Sequence, residues 1–126
     1  MRFGSQNRLR LARDIDLVRG KSAKTDCAAF VFYCLPKPGA QHSRIAIVAS
    51  KRIGGAVVRN RARRVFREIF RACAPNFKLP CDIMVFVRKN YAASDFRSLS
   101  DKFAAAADKS LSSFLKQCSE DALGHE

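Results

Sequence analysis

Between Lys51 and Arg71 the chain reads KRIGGAVVRNRARRVFREIFR. Eight of these residues are Lys or Arg, and Glu68 is the one acid among them. Six of the eight, all arginines, fall between Arg59 and Arg71. A guanidinium forks bidentately to phosphate and stacks on bases, whereas an ammonium acts as a point charge. Lys51 and Arg52 come just before a Gly-Gly turn that leads into a helical pattern, and free N–H groups at a helix start favour an anion. The chemistry this run can do is recognition of a polyanion, with phosphate backbone as the ligand it suits. The residue types leave RNA and DNA both open.

Bond-breaking chemistry has no comparable support. Metal-assisted hydrolysis needs a carboxylate cluster, and general acid–base work needs a placed His. The eleven acids are scattered, and His42 and His125 lie away from the basic run. Neither a catalytic residue nor a protein-held metal is expected. Five cysteines, an odd number with no CxxC pair, predict buried reduced thiols rather than a zinc site or a disulfide framework.

The whole chain has 126 residues, is 48% hydrophobic and contains ten Phe, enough for one domain with a real core. Its formal charge of +13 implies a polyanionic partner. No apolar run approaches the roughly 18–20 residues of a membrane span. The opening MRFGSQNRLRLARDIDL lacks the apolar stretch of a secretion signal. A cytoplasmic protein with no membrane contact and no small-molecule ligand is expected.

The elements that must position the arginines follow from pattern. Residues 1–12 predict a flexible basic arm, and Asp14–Arg19 a short helix stopped by Gly20. AAFVFYCL (28–35) and RIAIVAS (44–50) read as strands. PKPGAQHS between them reads as a hairpin loop, so these strands are expected to pair antiparallel. A helix from Ala56 to Cys73 ends before Pro75. CDIMVFV (81–87) is almost wholly apolar and predicts a strand buried on both faces. The last helix, Asp95 to Cys118, has Ser94 as its expected cap and turns Phe96, Leu99, Phe103, Ala107, Phe114 and Cys118 inward. Residues 119–126 are expected to be a disordered tail. The order α-β-β-α-β-α makes one α+β domain, a two-layer sandwich spanning residues 1–126.

At about 100° per residue, the helix from Ala56 divides into two faces. Val58, Ala62, Val65, Phe66, Ile69 and Cys73 form an apolar stripe wide enough to bury. Asn60, Arg63, Arg64, Arg67 and Arg71 gather on the opposite side. Arg59 lies at one edge of the stripe and Arg61, beside Glu68, at the other. Arg61 is therefore expected to be partly structural, and Arg64 is placed to pair with Glu68. Such a helix can also lie on a membrane or enter a calmodulin-like groove, but strands on either side offer its stripe a place to pack. A helix-turn-helix would need a neighbouring helix, where strands are expected instead.

The stretch SKRIGGAVVRNRARRVFREIF (50–70) closely resembles the bacterial ribonuclease P protein subunit. The matching features are Ser50-Lys51-Arg52, Gly54-Gly55, Arg59-Asn60-Arg61, and then Arg63, Arg64 and Arg67. The resemblance extends to NRL (7–9), Asp14, FVFY (30–33) and CDIMVFVRK (81–89), covering roughly residues 7–115. It implies an αβββαβα-like fold with a left-handed β-α-β crossover at the basic helix. It implies a protein that binds a catalytic RNA and assists Mg²⁺-dependent removal of the 5′ leader from precursor tRNA, with the Mg²⁺ held by the RNA. A general RNA-binding or ribosome-assembly protein is the alternative, and a protein-only nuclease a third reading.

In that family the leader lies between the first helix and one sheet face. The resemblance carries this role onto Ile15, Arg19, Val31 and Tyr33, with Phe30 and Phe32 facing the core. Tyr33 is the stacking candidate. Ile15 and Arg19 stand where the family usually has aromatics, so the grip is expected to be more electrostatic. Gly55 stands where the family often has Asn, which removes a polar helix cap.

Overall fold

The computed structural model describes residues 7–9 and 12–124. Helix α1 (Ala12–Lys21) is followed by strands β1 (Ala23–Asp26), β2 (Phe30–Pro36) and β3 (Arg44–Val48). Helix α2 (Ala56–Cys73), strand β4 (Cys81–Val87) and helix α3 (Phe96–Gly124) complete the chain. The strands form one sheet in the order β1-β2-β4-β3.

The centre of that sheet follows from the composition of β4. Its residues are buried apart from Phe86, so it takes the place with a strand on either side. It pairs antiparallel with β2 and parallel with β3, and α2 makes the crossover between the two parallel strands. The expected β2–β3 hairpin is therefore absent. The loop after Pro36 carries the chain past an open position, which β4 later fills.

The fourth strand, β1, is absent from the element order read from residue pattern, although the family resemblance implied it. Its sequence AKTD is short and polar, with no alternation to detect. It pairs antiparallel with β2 from Ala23↔Cys34 to Asp26↔Val31. The turn between them holds Ala28 at φ 66°, and the Ala28 N–H donates to Asp26 Oδ1 at 2.9 Å. Arg88, just past β4, donates to both Asp26 carboxylate oxygens at 2.7 and 3.0 Å. This bonding holds the Asp26 carboxyl below the usual carboxylate range.

Alternation along the strands gives the sheet two faces. Phe30, Phe32 and Cys34 of β2 and Ile83 and Val85 of β4 meet α2 and α3 in the main core. Phe66 meets Phe30 edge-on at 5.0 Å between ring centroids, and Phe103 meets Phe32 at 5.1 Å. On the opposite face, Met84 joins Val18 of α1 and Leu9, with Ile15, Tyr33, Leu35, Ala46 and Val48 around them. Helix α1 thus adds a partial third layer to the expected two.

Several boundaries differ from expectation. Helix α1 runs through Gly20 to Lys21, because nothing there requires the left-handed turn that would make glycine a stop. Asp95, rather than Ser94, caps α3 by accepting the Ser98 N–H at 2.8 Å. The backbone of α3 continues to Gly124, into the stretch expected as a tail. Within the expected arm, Asn7 and Leu9 are buried and the Leu9 N–H donates to the Ile45 carbonyl at 3.0 Å. Arg8 between them is exposed and bridges to Ile45, while residues 1–6, 10 and 11 lie outside the described residues. Along α3, Leu99, Phe103, Ala106, Ala107 and Leu111 are buried, while Phe96 and Cys118 at the ends of the expected stripe are exposed.

The apolar stripe of α2 is rotated from the one drawn on the wheel. Ala62, Phe66, Ile69, Phe70 and Cys73 are buried, whereas Val58 is 38% exposed. Phe70, omitted from the expected stripe, packs near Phe77. Truncation should follow this geometry. Phe70→Ala is expected to cost about 3–5 kcal/mol of unfolding free energy, and Val58→Ala about 1 kcal/mol or less. Urea titrations check this, and equal losses would restore the original wheel.

Candidate nucleic-acid interface

The approach to α2 depends on a tight turn. Lys51 and Arg52 are exposed on a 3₁₀ turn, Lys51–Ile53, and Gly54 follows at φ 146°. A Cβ at Gly54 would stand 2.9 Å from Val58 Cβ. Glycine is required there for both conformation and space. The helix cap is Gly55, which offers no side chain to the first N–H groups of α2.

Beyond this turn the basic side chains separate. Asn60, Arg63, Arg64, Arg67, Glu68 and Arg71 line an open depression of about 430 Å³. The Arg63 Nη1–H donates to Asn60 Oδ1 at 3.2 Å. Glu68 pairs with Arg71 three residues on, rather than with Arg64. The i,i+3 geometry puts that carboxylate toward the C-terminal half of the face and leaves Arg64 exposed. Arg59 is half-buried and its Nε is enclosed with no hydrogen-bond partner among the described residues. Rotation of the stripe toward Phe70 explains this, because it moves the edge of the apolar face onto Arg59. Arg61, expected to be partly structural, is exposed beside Val58, Val65 and Tyr91.

A second groove of about 530 Å³ runs over β3 between α1 and α2. Arg63 and Arg67 reach into it from one side and Ile15 from the other, with Ala46 and Val48 beneath. Two sets of residues that sequence treated separately are thereby brought to one groove. The remaining leader-cleft candidates lie farther along the α1 side of the sheet. Arg19 is exposed on α1, Tyr33 is half-buried against the α1 cluster, and Val31 is nearly covered.

The α1 wall is fastened by one arginine. Arg44 on β3 donates from Nε and Nη2 to the two oxygens of Asp82 at 2.9 and 2.6 Å. Its Nη1 reaches Asp14 Oδ2, in the first turns of α1, at 3.4 Å. Hydrogen bonding to buried Asp82 raises the guanidinium pKa above its ordinary value, with both carboxylate charges adding to this.

Sequence pattern missed two residues here. Phe86 is 36% exposed and pairs in register with Val31, on the sheet face that carries Tyr33 and Met84. Nothing in the sequence separates it from Asp82 and Met84, which share its strand parity and are buried. Arg44 was placed only as the first residue of the RIAIVAS strand, with no partner expected for it.

Other chemistry has little footing. Among the described residues no three of His, Cys, Asp or Glu converge to hold a metal ion. Cys27, Cys34, Cys73 and Cys81 are buried free thiols, but Cys118 is exposed, against the expectation for all five. Hydrogen bonding with Cys81 and burial push the Cys34 thiol up, and burial raises Cys27 and Cys73. None of these three is a ready nucleophile.

Comparison with known proteins supplies a common origin for this arrangement. The family model described as Ribonuclease P matches residues 3–110. The ribonuclease P protein component of Shouchella clausii is 34% identical over 83 residues, covering 66% of this chain and 68% of the relative. That of Latilactobacillus sakei is 32% identical over 82 residues, covering 65% and 68%. The RNase P protein from Thermotoga maritima superposes with a TM-score of 0.70 at 30% identity, covering 81% of this chain and 96% of that one. The Staphylococcus aureus RNase P protein gives 0.64 at 26% identity, covering 89% and 94%. Sequence and fold agree: the chain belongs to the ribonuclease P protein family, as a protein component of that ribonucleoprotein enzyme.

Proposed function

We propose that this ribonuclease P protein component docks on the catalytic RNA through the arginine face of α2 and holds the 5′ leader of precursor tRNA along the α1 side of the sheet. The observation that carries this reading is the groove over β3, where Arg63 and Arg67 face Ile15 across an apolar floor. Phosphates of the RNA subunit meet Lys51, Arg52, Arg59, Asn60, Arg61, Arg63, Arg64, Arg67 and Arg71. The leader passes Ile15, Arg19, Val31 and Tyr33. Phe86 supplies an exposed aromatic surface on that face, which offsets the missing aromatics at Ile15 and Arg19.

Among the described residues no cluster of carboxylates suits a protein-held Mg²⁺, and several are already engaged. Asp14 and Asp82 are bonded by Arg44, Asp26 by Arg88 and Glu68 by Arg71, while Asp95 caps α3. We therefore assign the Mg²⁺ and the hydrolytic step to the RNA subunit, and to this chain the binding and orientation of substrate. It acts as a single RNA-binding domain in the bacterial cytoplasm. No helix of the described residues is long and apolar enough to cross a membrane.

Cleavage of precursor tRNA at low Mg²⁺, with protein and cognate catalytic RNA supplied separately and together, tests the assignment. Protein with RNA is expected to cleave faster than RNA alone, and protein alone not at all. No gain from adding protein would favour a general RNA-binding role, and cleavage by protein alone a protein-only nuclease.

The two surfaces should separate in mutants. Arg63→Ala and Arg67→Ala are expected to weaken catalytic-RNA binding and lower the salt slope by about 0.7–0.9 per lost phosphate contact, with melting temperature unchanged. Unaltered affinity and slope in both would refute the arginine face.

Phe86→Ala and Tyr33→Ala are expected to weaken holoenzyme binding of leader-bearing precursor by about 5- to 150-fold, the range for loss of one base–aromatic stack. Binding of mature tRNA should stay constant. Equal losses on both substrates would remove these residues from the leader path.

A further inference from the structure

Helices α2 and α3 begin side by side, and both begin with apolar side chains in the open. Val57 is 78% exposed, Val58 38% and Phe96 49%. Between them lies an apolar cavity of about 340 Å³, lined chiefly by these three with Arg61, Tyr91 and Leu99. Its base is firm. Leu99 and Tyr91 are buried, and the Tyr91 hydroxyl donates to the Val58 carbonyl at 3.4 Å. Val57, Val58 and Phe96 belong to neither core cluster, so the hydrophobic interior closes without them. A contiguous exposed patch of this kind marks an interaction site more often than a packing remnant.

The charge around the cavity indicates what enters it. Arg61 stands in its lining, and no carboxylate does. The nearest acid in sequence, Asp95, is engaged by the Ser98 N–H as the cap of α3. The turn carrying Lys51 and Arg52 packs against the turn Lys89–Ala93, which adds Lys89 to the same end of the molecule. The first N–H groups of α2 have no side-chain cap. An apolar seat with an aromatic wall and a cationic rim suits a flat aromatic ring that carries a negative charge beside it. A second copy of this chain would set one +13 surface against another.

We infer that this cavity seats an unpaired nucleobase of the bound catalytic RNA, stacked on Phe96 against Val57 and Val58, with its phosphate on Arg61. The inference rests on the RNA-binding role proposed above and adds to it a contact that is apolar rather than ionic. Stacking is tolerant of base identity, because every base has a π-face.

Binding of the full-length protein to the cognate catalytic RNA, measured across a salt series, tests this. Phe96→Ala is expected to weaken binding about 5- to 150-fold with the salt slope unchanged, since no phosphate contact is lost. Phe96→Tyr should retain affinity, and Phe96→Leu should lose most of it. Val57→Ser, at a more exposed position, should weaken binding without lowering the melting temperature and so guards against a folding defect at Phe96. Wild-type affinity in Phe96→Ala alongside weakened binding in Arg63→Ala would overturn the nucleobase seat and leave the arginine face standing. Wild-type affinity in both would overturn the two together. A loss of self-association in sedimentation, with RNA affinity intact, would assign the cavity to a second copy and also overturn the inference.

Discussion

Strand β4 has almost no face to give to water, and most of the architecture follows from that. A strand buried on both sides needs neighbours at both edges and cover above and below. β2 and β3 supply the edges, so they cannot pair with each other. The helices supply the cover, α2 and α3 on one face and α1 on the other. Because β3 and β4 run parallel, the chain between them must cross the sheet, and α2 is that crossing. The most basic segment of the protein is thus held by the least polar one.

This placement answers how a helix tolerates so many like charges. Arg59–Arg63, Arg63–Arg67 and Arg67–Arg71 are i,i+4 repulsions, together costing about 1 kcal/mol. Burial of Phe66, Ile69 and Phe70 contributes about 1.5–3 kcal/mol each. The apolar stripe outweighs the repulsion severalfold, even before Glu68 offsets Arg71. The fold can therefore keep an arginine face that is of no use to its own stability.

Elements with strong period were legible in the sequence, and those defined by partners were not. Ala56–Cys73 and Cys81–Val87 are found at their expected bounds, since one has a helical stripe and a proline stop and the other an unbroken apolar run. β1 is four residues of AKTD, and only its pairing with β2 makes it a strand. The β2–β3 pairing failed because sequence proximity said nothing of a later strand inserting between them. At the site, the arginines were legible as a face but their burial was not. A wheel centred on Val58 put Arg59 and Arg61 symmetrically at two edges. Tertiary contact with Phe70 rotates the buried sector, enclosing Arg59 and leaving Arg61 out. Phe86 and Phe96 were counted as core because exposure of an aromatic is decided by what fails to cover it.

The groove over β3 has walls of unequal firmness. Its α2 wall is backed by the main core, where Phe30, Phe32, Phe66 and Phe103 interlock. Its α1 wall rests on the smaller cluster around Val18 and Met84 and on Arg44, which joins Asp14 to buried Asp82. Regions with few buried contacts open at lower free energy than the core does. The groove thus sets Arg63 and Arg67 on a firm wall opposite a more adjustable helix, with Arg8 also in its lining. Fixed charge suits the sugar-phosphate backbone, whose spacing is the same in every sequence. An adjustable wall suits the bases, whose size and shape are not. If the leader lies along this groove as proposed, its division would suit strands of differing sequence, and it follows from where the aromatic residues lie.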